Sequence, residues 1–407
     1  MRILFITQYF PPEVGAPQSR LYELAIRLVE KGVDVTVLTA MPNYPEMKVH
    51  DGYRGKFRVK ESIDGIEVVR SWIYVSRNTG FASRILNYLS FTCSSFITGV
   101  FSTRSFDYVF CESPPLFLGL SAIMLAKIKG SKLIFNVSDL WPETAIKLGI
   151  VKNPALIKLA TRIEEMCYKS SWLITGQTKH ITDHIGARFP NKRTYWLKNG
   201  SNPKLFEHRM SSTWRADNGY SADDFILVYA GIIGIAQGLE IILEAAGAFK
   251  SKERIKFAII GSGPEKEKLV ALRDKMGLVN VRFLDVQPKS AMPSILSAAS
   301  AVIIPLKRLP LFKGAIPSKI YECAMMGKPL LLGVEGEAKS LFIDDGKCGL
   351  AFEPENGEDL ADKIVQLSDD QNLMLQLGEN GRTYVVNNFS LDHIAHDFWT
   401  VINQGKK

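Results

Sequence analysis

Disulfide chemistry has little to work with in this sequence. Its 407 residues hold five cysteines, Cys93, Cys111, Cys167, Cys323 and Cys348, an odd and scattered set without a Cys-x-x-Cys pair. That excludes a zinc ribbon, argues against a disulfide framework and points to a reducing compartment. Paired carboxylates are scarce as well: Asp-Asp occurs at 223, 344 and 369, but no Asp-x-Asp closes a strand-like run. No such pair is placed to chelate a divalent ion. His180 and His184 stand four apart without a third ligand or an intervening Glu, so a zinc site is not expected there either. The opening MRILFITQYFPPE has one basic residue and a short apolar run, which reads as a buried first strand rather than a signal peptide. There is no solenoid-length repeat, no low-complexity tract, and no helix-turn-helix or RNP-like aromatic signature.

What is present is globular: 46% hydrophobic and 23% charged residues over a length that exceeds a single core. Apolar runs of strand length, RILFIT (2–7), DVTVLT (34–39), IEVVRSW (66–72), YVFCE (108–112), KLIFNV (132–137) and WLITG (172–176), alternate with amphipathic segments such as SRLYELAIRLVEKG. After the turn-rich YWLKNGSNPKLF the alternation restarts with FILVYAG (225–231), KFAIIGSG (256–263), VRFLD (281–285), AVIIPL (301–306) and PLLLGV (329–334). Strand–helix alternation of this kind predicts α/β architecture, with two doubly wound parallel-sheet domains of Rossmann-like form. The expected boundaries are 1–198, 199–388 and a C-terminal helix over 389–407 that packs back toward the N-terminal domain.

The net charge of +8 is unevenly placed. Residues 1–199 carry 26 Lys+Arg against 16 Asp+Glu, a balance of +10, and residues 200–407 carry 24 against 26. A basic first half raises two partners, nucleic acid and an anionic membrane surface. The membrane is favoured by a second feature. Between Arg84 and Arg104 lie 19 uncharged residues, too rich in Asn87, serines and threonines to span a bilayer. They read as a buried helix or as an interfacial one with Phe91, Phe96 or Phe101 against lipid, beside the basic run Arg54, Lys56, Arg58, Lys60. A cytoplasmic protein held peripherally at the inner face of the plasma membrane, without nucleic acid, is the expectation.

Three segments carry candidate chemistry. In IPSKIYE, Pro317 suits a helix start, the amides of Ser318 and Lys319 would face outward, and Lys319 adds a full charge, a combination suited to a diphosphate. Glu322 lies one turn in and can accept from paired sugar hydroxyls. An ordinary solvated helix start with a Lys–Glu pair has the same residues. Gly261 and Gly263 follow KFAII, where glycines admit a ligand to the backbone or simply make a tight turn. Gly15 and Ala16 follow the first strand, with Arg20 on the next helix, at the edge where open parallel sheets bind ligands.

These segments, together with KNGSNPKLF, YAGIIGIAQGLEIILEAA, IIGSGPEKEKL, VRFLDVQPKSAMPSILSAASAVIIPL and IPSKIYECAMMGKPLLL, resemble the family-4-like retaining glycosyltransferases of GT-B fold over nearly the whole chain. The form is that of bacterial O-antigen, capsule and exopolysaccharide transferases, and within these it is similar to N-acetyl-L-fucosamine transferases. The resemblance implies two domains facing across a cleft, a nucleotide diphosphate-sugar donor (UDP-linked) on the second domain, and a polyprenyl-diphosphate-linked saccharide acceptor on the first. It implies no cofactor, and with no Asp-x-Asp present the transfer is expected to be metal-independent. Donor contacts carry over to Pro317, Ser318, Lys319 and Glu322, with Gly15, Ala16, Gly261 and Gly263 lining the site, and base recognition near Asp285–Gln287. The family's first donor-loop Glu falls on Gly314, and its usual Arg and Lys fall on Ile232 and Gln237. The cation at the leaving group is then Lys319 or, second, Lys313, with Gln237 as a neutral donor. In NVSDLWPE the family's strand-end His-Asp falls on Ser138 and Asp139, which places Arg20, Ser138 and Asp139 on the acceptor side. Asp139, Lys319 and Glu322 are the candidate catalytic residues, Asp139 also reading as a helix cap. A nucleotide-sugar epimerase of the same fold is the alternative enzyme, and a nucleic-acid binder the non-enzymatic one.

Overall fold

The computed structural model describes residues 1–405 except 14, 45, 77–79, 103, 148 and 207–212. Thr103, at the end of the uncharged run, therefore lies outside the described residues. The chain divides into two compact units, Met1–Asn199 with Ile394–Lys407, and Gly200–His393.

In the first unit eight strands make one sheet: β1 (Arg2–Ile6), β2 (Asp34–Ala40), β3 (Arg58–Ile63), β4 (Ile66–Ser71), β5 (Tyr108–Ser113), β6 (Lys132–Val137), β7 (Leu173–Gly176) and β8 (Thr194–Trp196). Their order is β3-β4-β2-β1-β5-β6-β7-β8. All pairs are parallel except β3–β4. Central strands such as β1 and β5 are apolar on both faces because helices cover both sides. The order turns round between β1 and β5, so their carboxyl ends open the crevice where such sheets bind ligands.

The edge strand β3 has no counterpart among the expected strands. It alternates exposed and half-buried residues, and it joins β4 by a tight hairpin in which Asp64 and Gly65 both have positive φ. The basic run thus lies on and beside an edge strand. Arg54 pairs with Asp51 (2.9 Å) and Lys60 with Glu67 (3.2 Å), so at least two of its four charges already have partners.

The uncharged run forms the helix Phe81–Ser102. Its polar side chains face inward: Ser95 Oγ meets Ser121 Oγ at 3.0 Å, Thr98 Oγ1 meets Ser71 Oγ at 2.8 Å, and Gln8 donates to Asn87 Oδ1 at 2.8 Å. Phe91 is fully buried and Phe96 partly so, which corrects the expectation that either faces lipid. The outward stripe is instead Leu86, Leu89, Ile97 and Phe101, the last 81% exposed. No helix among the described residues is long and apolar enough to cross a membrane.

The second unit holds β9 (Phe225–Ala230), β10 (Ile255–Ile260), β11 (Val281–Leu284), β12 (Ala301–Pro305), β13 (Leu330–Gly333) and β14 (Gly349–Ala351). The order β11-β10-β9-β12-β13-β14 is wholly parallel, with its turning point between β9 and β12. Leu227, Tyr229, Phe257, Ile259, Ile303 and Leu331 build the core on one side of this sheet. The last helix, Leu391–Gln404, runs into the first unit. There Tyr108 Oη donates to the Ile402 carbonyl (2.6 Å) and Phe398 packs edge-on to Phe110.

Candidate functional site

In the second unit several of the residues expected on the donor side meet at the carboxyl edge of β9. The helix predicted from Pro317 begins at Lys319, with Ser318 as its cap. Ile320 and Tyr321 donate to the Pro317 and Ser318 carbonyls, and among the described residues nothing accepts from the amides of Ser318 and Lys319. The Lys319 ammonium sits 3.9 Å from the centroid of the Tyr229 ring. It has room because residue 231 is glycine: a Cβ there would stand 2.7 Å from Nζ. Burial lowers the Lys319 pKa to about 8, since a desolvated ammonium favours its neutral form. Glu322 is pushed up by burial, with Lys289 Nζ 3.4 Å from its carboxylate opposing the shift. A cation over an aromatic face, free amides and a half-buried carboxylate have the chemistry to take a phosphate beside hydroxyl groups.

Gly261 and Gly263 contribute differently from the expectation that a ligand approaches them. Both have positive φ, and a Cβ on either would overlap the carbonyl oxygen of Gly231 or Ile233 respectively. Two loops interlock here: Gly231 donates to Ile260, Ile233 to Ser262 and Glu265 to Ile233, at 2.8–3.1 Å. The glycines admit neighbouring backbone, and that contact holds Gly231 beside Lys319. Gln237 ends the short turn Ile235–Gln237, Ile232 is 64% exposed, and Lys313 is exposed on the turn Pro310–Gly314 with no ion pair among the described residues. Lys289 and Tyr229 were missed because nothing in their local sequence marks them. The chain folds them onto Lys319 and Glu322 from distant positions.

In the first unit, Gly15 precedes the helix Ala16–Glu30, whose Arg20 reaches the edge of β5 and β6. Arg20 donates to Glu112 Oε1 (2.7 Å) and to Ser138 Oγ (2.8 Å), and Ser138 in turn donates to Glu112. Asn136 donates to Glu112 Oε2 (2.6 Å) and Thr175 to Asn136 Oδ1 (2.6 Å). This chain engages Ser138 and one nitrogen of Arg20 in holding the loop. Glu112, Asn136 and Thr175 were not among the expected residues. Asp139 is separate: Thr144 Oγ1 donates to its Oδ1 at 2.7 Å, and burial raises its pKa. It is tied to the helix Glu143–Lys147 through Thr144 and also accepts from the Leu140 amide. Thr144→Val should lower stability by about 1 kcal/mol in urea unfolding, the worth of one such bond.

His184 lies 3.1 Å from Glu143. Among the described residues no group of three or more His, Cys, Asp or Glu side chains converges as a metal site would require. All five cysteines are free.

Two doubly wound sheets of this topology define the GT-B class of fold. Solved structures agree: sucrose-phosphate synthase of Thermosynechococcus elongatus superposes with TM-score 0.76 at 17% identity, over 99% of this chain and 98% of that one. HepE of Anabaena, in complex with UDP-glucose, gives 0.72 at 15% identity over 99% and 100%. Residues 15–200 match the family model for a glycosyl transferase 4-like domain and residues 210–384 the model for glycosyl transferases group 1. The chain belongs to this GT-B glycosyltransferase family. WcaI of Escherichia coli (strain K12), whose name provisionally assigns it to colanic acid biosynthesis as a glycosyl transferase, is 26% identical over 90% of this chain and 92% of its own. The epimerase alternative is not favoured, since both halves match transferase models.

Proposed function

We propose that this glycosyltransferase moves a sugar, with retention, from a UDP-linked donor to a polyprenyl-diphosphate-linked saccharide during O-antigen or capsule assembly. The carrying observation is the Lys319 ammonium, held over Tyr229 beside Glu322 and two free amides. In this reading Ser318, Lys319 and the neighbouring amides neutralise the departing diphosphate, and Glu322 accepts from hydroxyls of the donor. The bond from the anomeric carbon to the phosphate oxygen breaks as the acceptor hydroxyl attacks from the same face. Its proton passes to the departing phosphate oxygen. Asp139 positions the acceptor hydroxyl, and neither a metal nor a cofactor takes part. N-acetyl-L-fucosamine is the donor sugar to try first, on the resemblance of the PSK helix segment.

The test is a screen of nucleotide-sugars for thermal stabilisation, which follows mass action, then product analysis with a lipid-linked acceptor. An α- or β-anomer matching the donor supports retention. A donor sugar changed at a ring carbon without acceptor would replace transfer with epimerisation.

The enzyme would work at the membrane surface through the outward stripe of helix Phe81–Ser102 and the basic hairpin. Leu89→Ser with Phe101→Ser should reduce flotation with anionic vesicles by about tenfold, from the apolar area lost. The replacement of Arg54, Lys56, Arg58 and Lys60 by serine should act more weakly, since Arg54 and Lys60 are already paired. Unchanged flotation in both would remove the membrane surface from this account.

A further inference from the structure

The first unit contains a cavity of about 320 Å³ that the proposed chemistry does not use. Its walls are Tyr88, Leu116, Phe117, Trp141, Val151 and Leu159, and Arg84 is its charged lining residue. The size is at the low end for ligand pockets, and the lining is almost wholly apolar and aromatic. Apolar side chains at its rim stay exposed: Ile150 and Leu159 are each 50% accessible and Leu156 is 38%. Leu156, Leu159 and Ala160 line it from one face of the helix Pro154–Ser170, at helical spacing.

Three features identify the occupant. First, the cavity shares loops with the acceptor-side residues. Trp141 stands two residues past Asp139 and donates to its carbonyl (2.9 Å), and Ser113, just before the lining Pro114, accepts from the Ser138 amide (2.8 Å). Second, it continues onto the outward apolar stripe, because Ile85 and Tyr88 line it while their neighbours Leu86 and Leu89 face solvent. Third, its charged lining residue is an unpaired cation. Arg84, in the lining, has no ion pair among the described residues, and Lys152, Lys158 and Arg162, next in sequence to or one turn from lining residues, have none either. An apolar cavity beside an apolar face, with Arg84 in its lining, complements a hydrocarbon chain ending in a diphosphate.

We infer that this cavity holds the isoprene units next to the diphosphate of a polyprenyl-linked acceptor, with Arg84 on the diphosphate. The inference rests on the lipid-linked-acceptor reading above and assigns residues to it. Aromatic and proline walls suit the flat, branched isoprene unit better than a straight acyl chain.

The experiment measures binding of farnesyl diphosphate, dodecyl phosphate and inorganic diphosphate to the full chain, in parallel with nucleotide-induced thermal stabilisation. Farnesyl diphosphate should bind at least about tenfold tighter than the other two. Ala160→Phe, which fills the cavity, and Leu159→Ser, at an exposed rim position, should each weaken it by about fivefold or more, with nucleotide stabilisation unchanged. Leu159→Ser keeps the test decisive should Ala160→Phe misfold. Equal affinity for dodecyl phosphate would overturn the isoprenoid assignment, and unchanged farnesyl binding in a folded Leu159→Ser variant would overturn the site. Loss of nucleotide stabilisation in the wild-type protein, with farnesyl binding intact, would count against the donor reading and leave the cavity assignment standing.

Discussion

Replacing Lys319 by alanine should lower kcat/KM for sugar transfer by about 10²–10³-fold, the usual loss when one preorganised group is removed from developing charge. The expectation follows from geometry. The ammonium is desolvated over Tyr229, Gly231 leaves it space, and Ile232 and Gln237 stand where relatives of this fold were expected to place two further cations. Among the described residues no second buried cation sits at that edge to compensate, since Lys289 is committed to Glu322. Steady-state kinetics with purified Lys319→Ala, and circular dichroism to confirm its fold, make the measurement. Turnover within a factor of three of wild type would mean that the leaving group is neutralised elsewhere.

Gly261→Ala should be the most damaging stability change at the site, costing about 3 kcal/mol. The new Cβ would overlap the Gly231 carbonyl and would also impose an L-residue on a φ of +147°. The obstacle is backbone, which cannot swing aside as a side chain can. Gly231 would have to move, and with it the space reserved for the Lys319 ammonium. Urea unfolding and donor affinity should therefore fall together. A stable Gly261→Ala protein with wild-type affinity would show that the interlocked loops are not needed for the site.

The parts of the structure that could be read in the sequence are those written locally. β1, β5, β9 and β12 are unbroken apolar runs because parallel strands are covered on both faces, so their composition alone marks them. β3 escaped because an edge strand is covered on one face only: Arg58, Lys60 and Ser62 point to solvent, and the run looks like a basic loop. β8 and β14 are three residues each, too short to carry a period. At the site, Ser318, Lys319 and Glu322 were visible as one helix start. Tyr229 and Lys289 were not, since only the sheet order brings them there.

The glycines at 261 and 263 show the limit more sharply. Their presence was plain, but whether a ligand or another loop fills the missing Cβ depends on where residues 231–233 go. Ser138 and Arg20 carry the same lesson. Read in isolation they are free polar groups at a strand end. In the fold they are spent on Glu112, which is itself tied to Asn136 and Thr175.

Burial lowers the Lys319 pKa to about 8, and a bound diphosphate would favour its charged form. Nucleoside diphosphate binding near pH 8 should therefore take up protons, and affinity should fall as pH rises through the lowered pKa. Calorimetric titration of UDP at pH 8, in two buffers of different ionisation enthalpy, reads this directly. Proton uptake is expected in the wild-type protein and none in Lys319→Gln, with affinity reduced. Wild-type affinity in Lys319→Gln, or UDP binding without proton uptake, would contradict it.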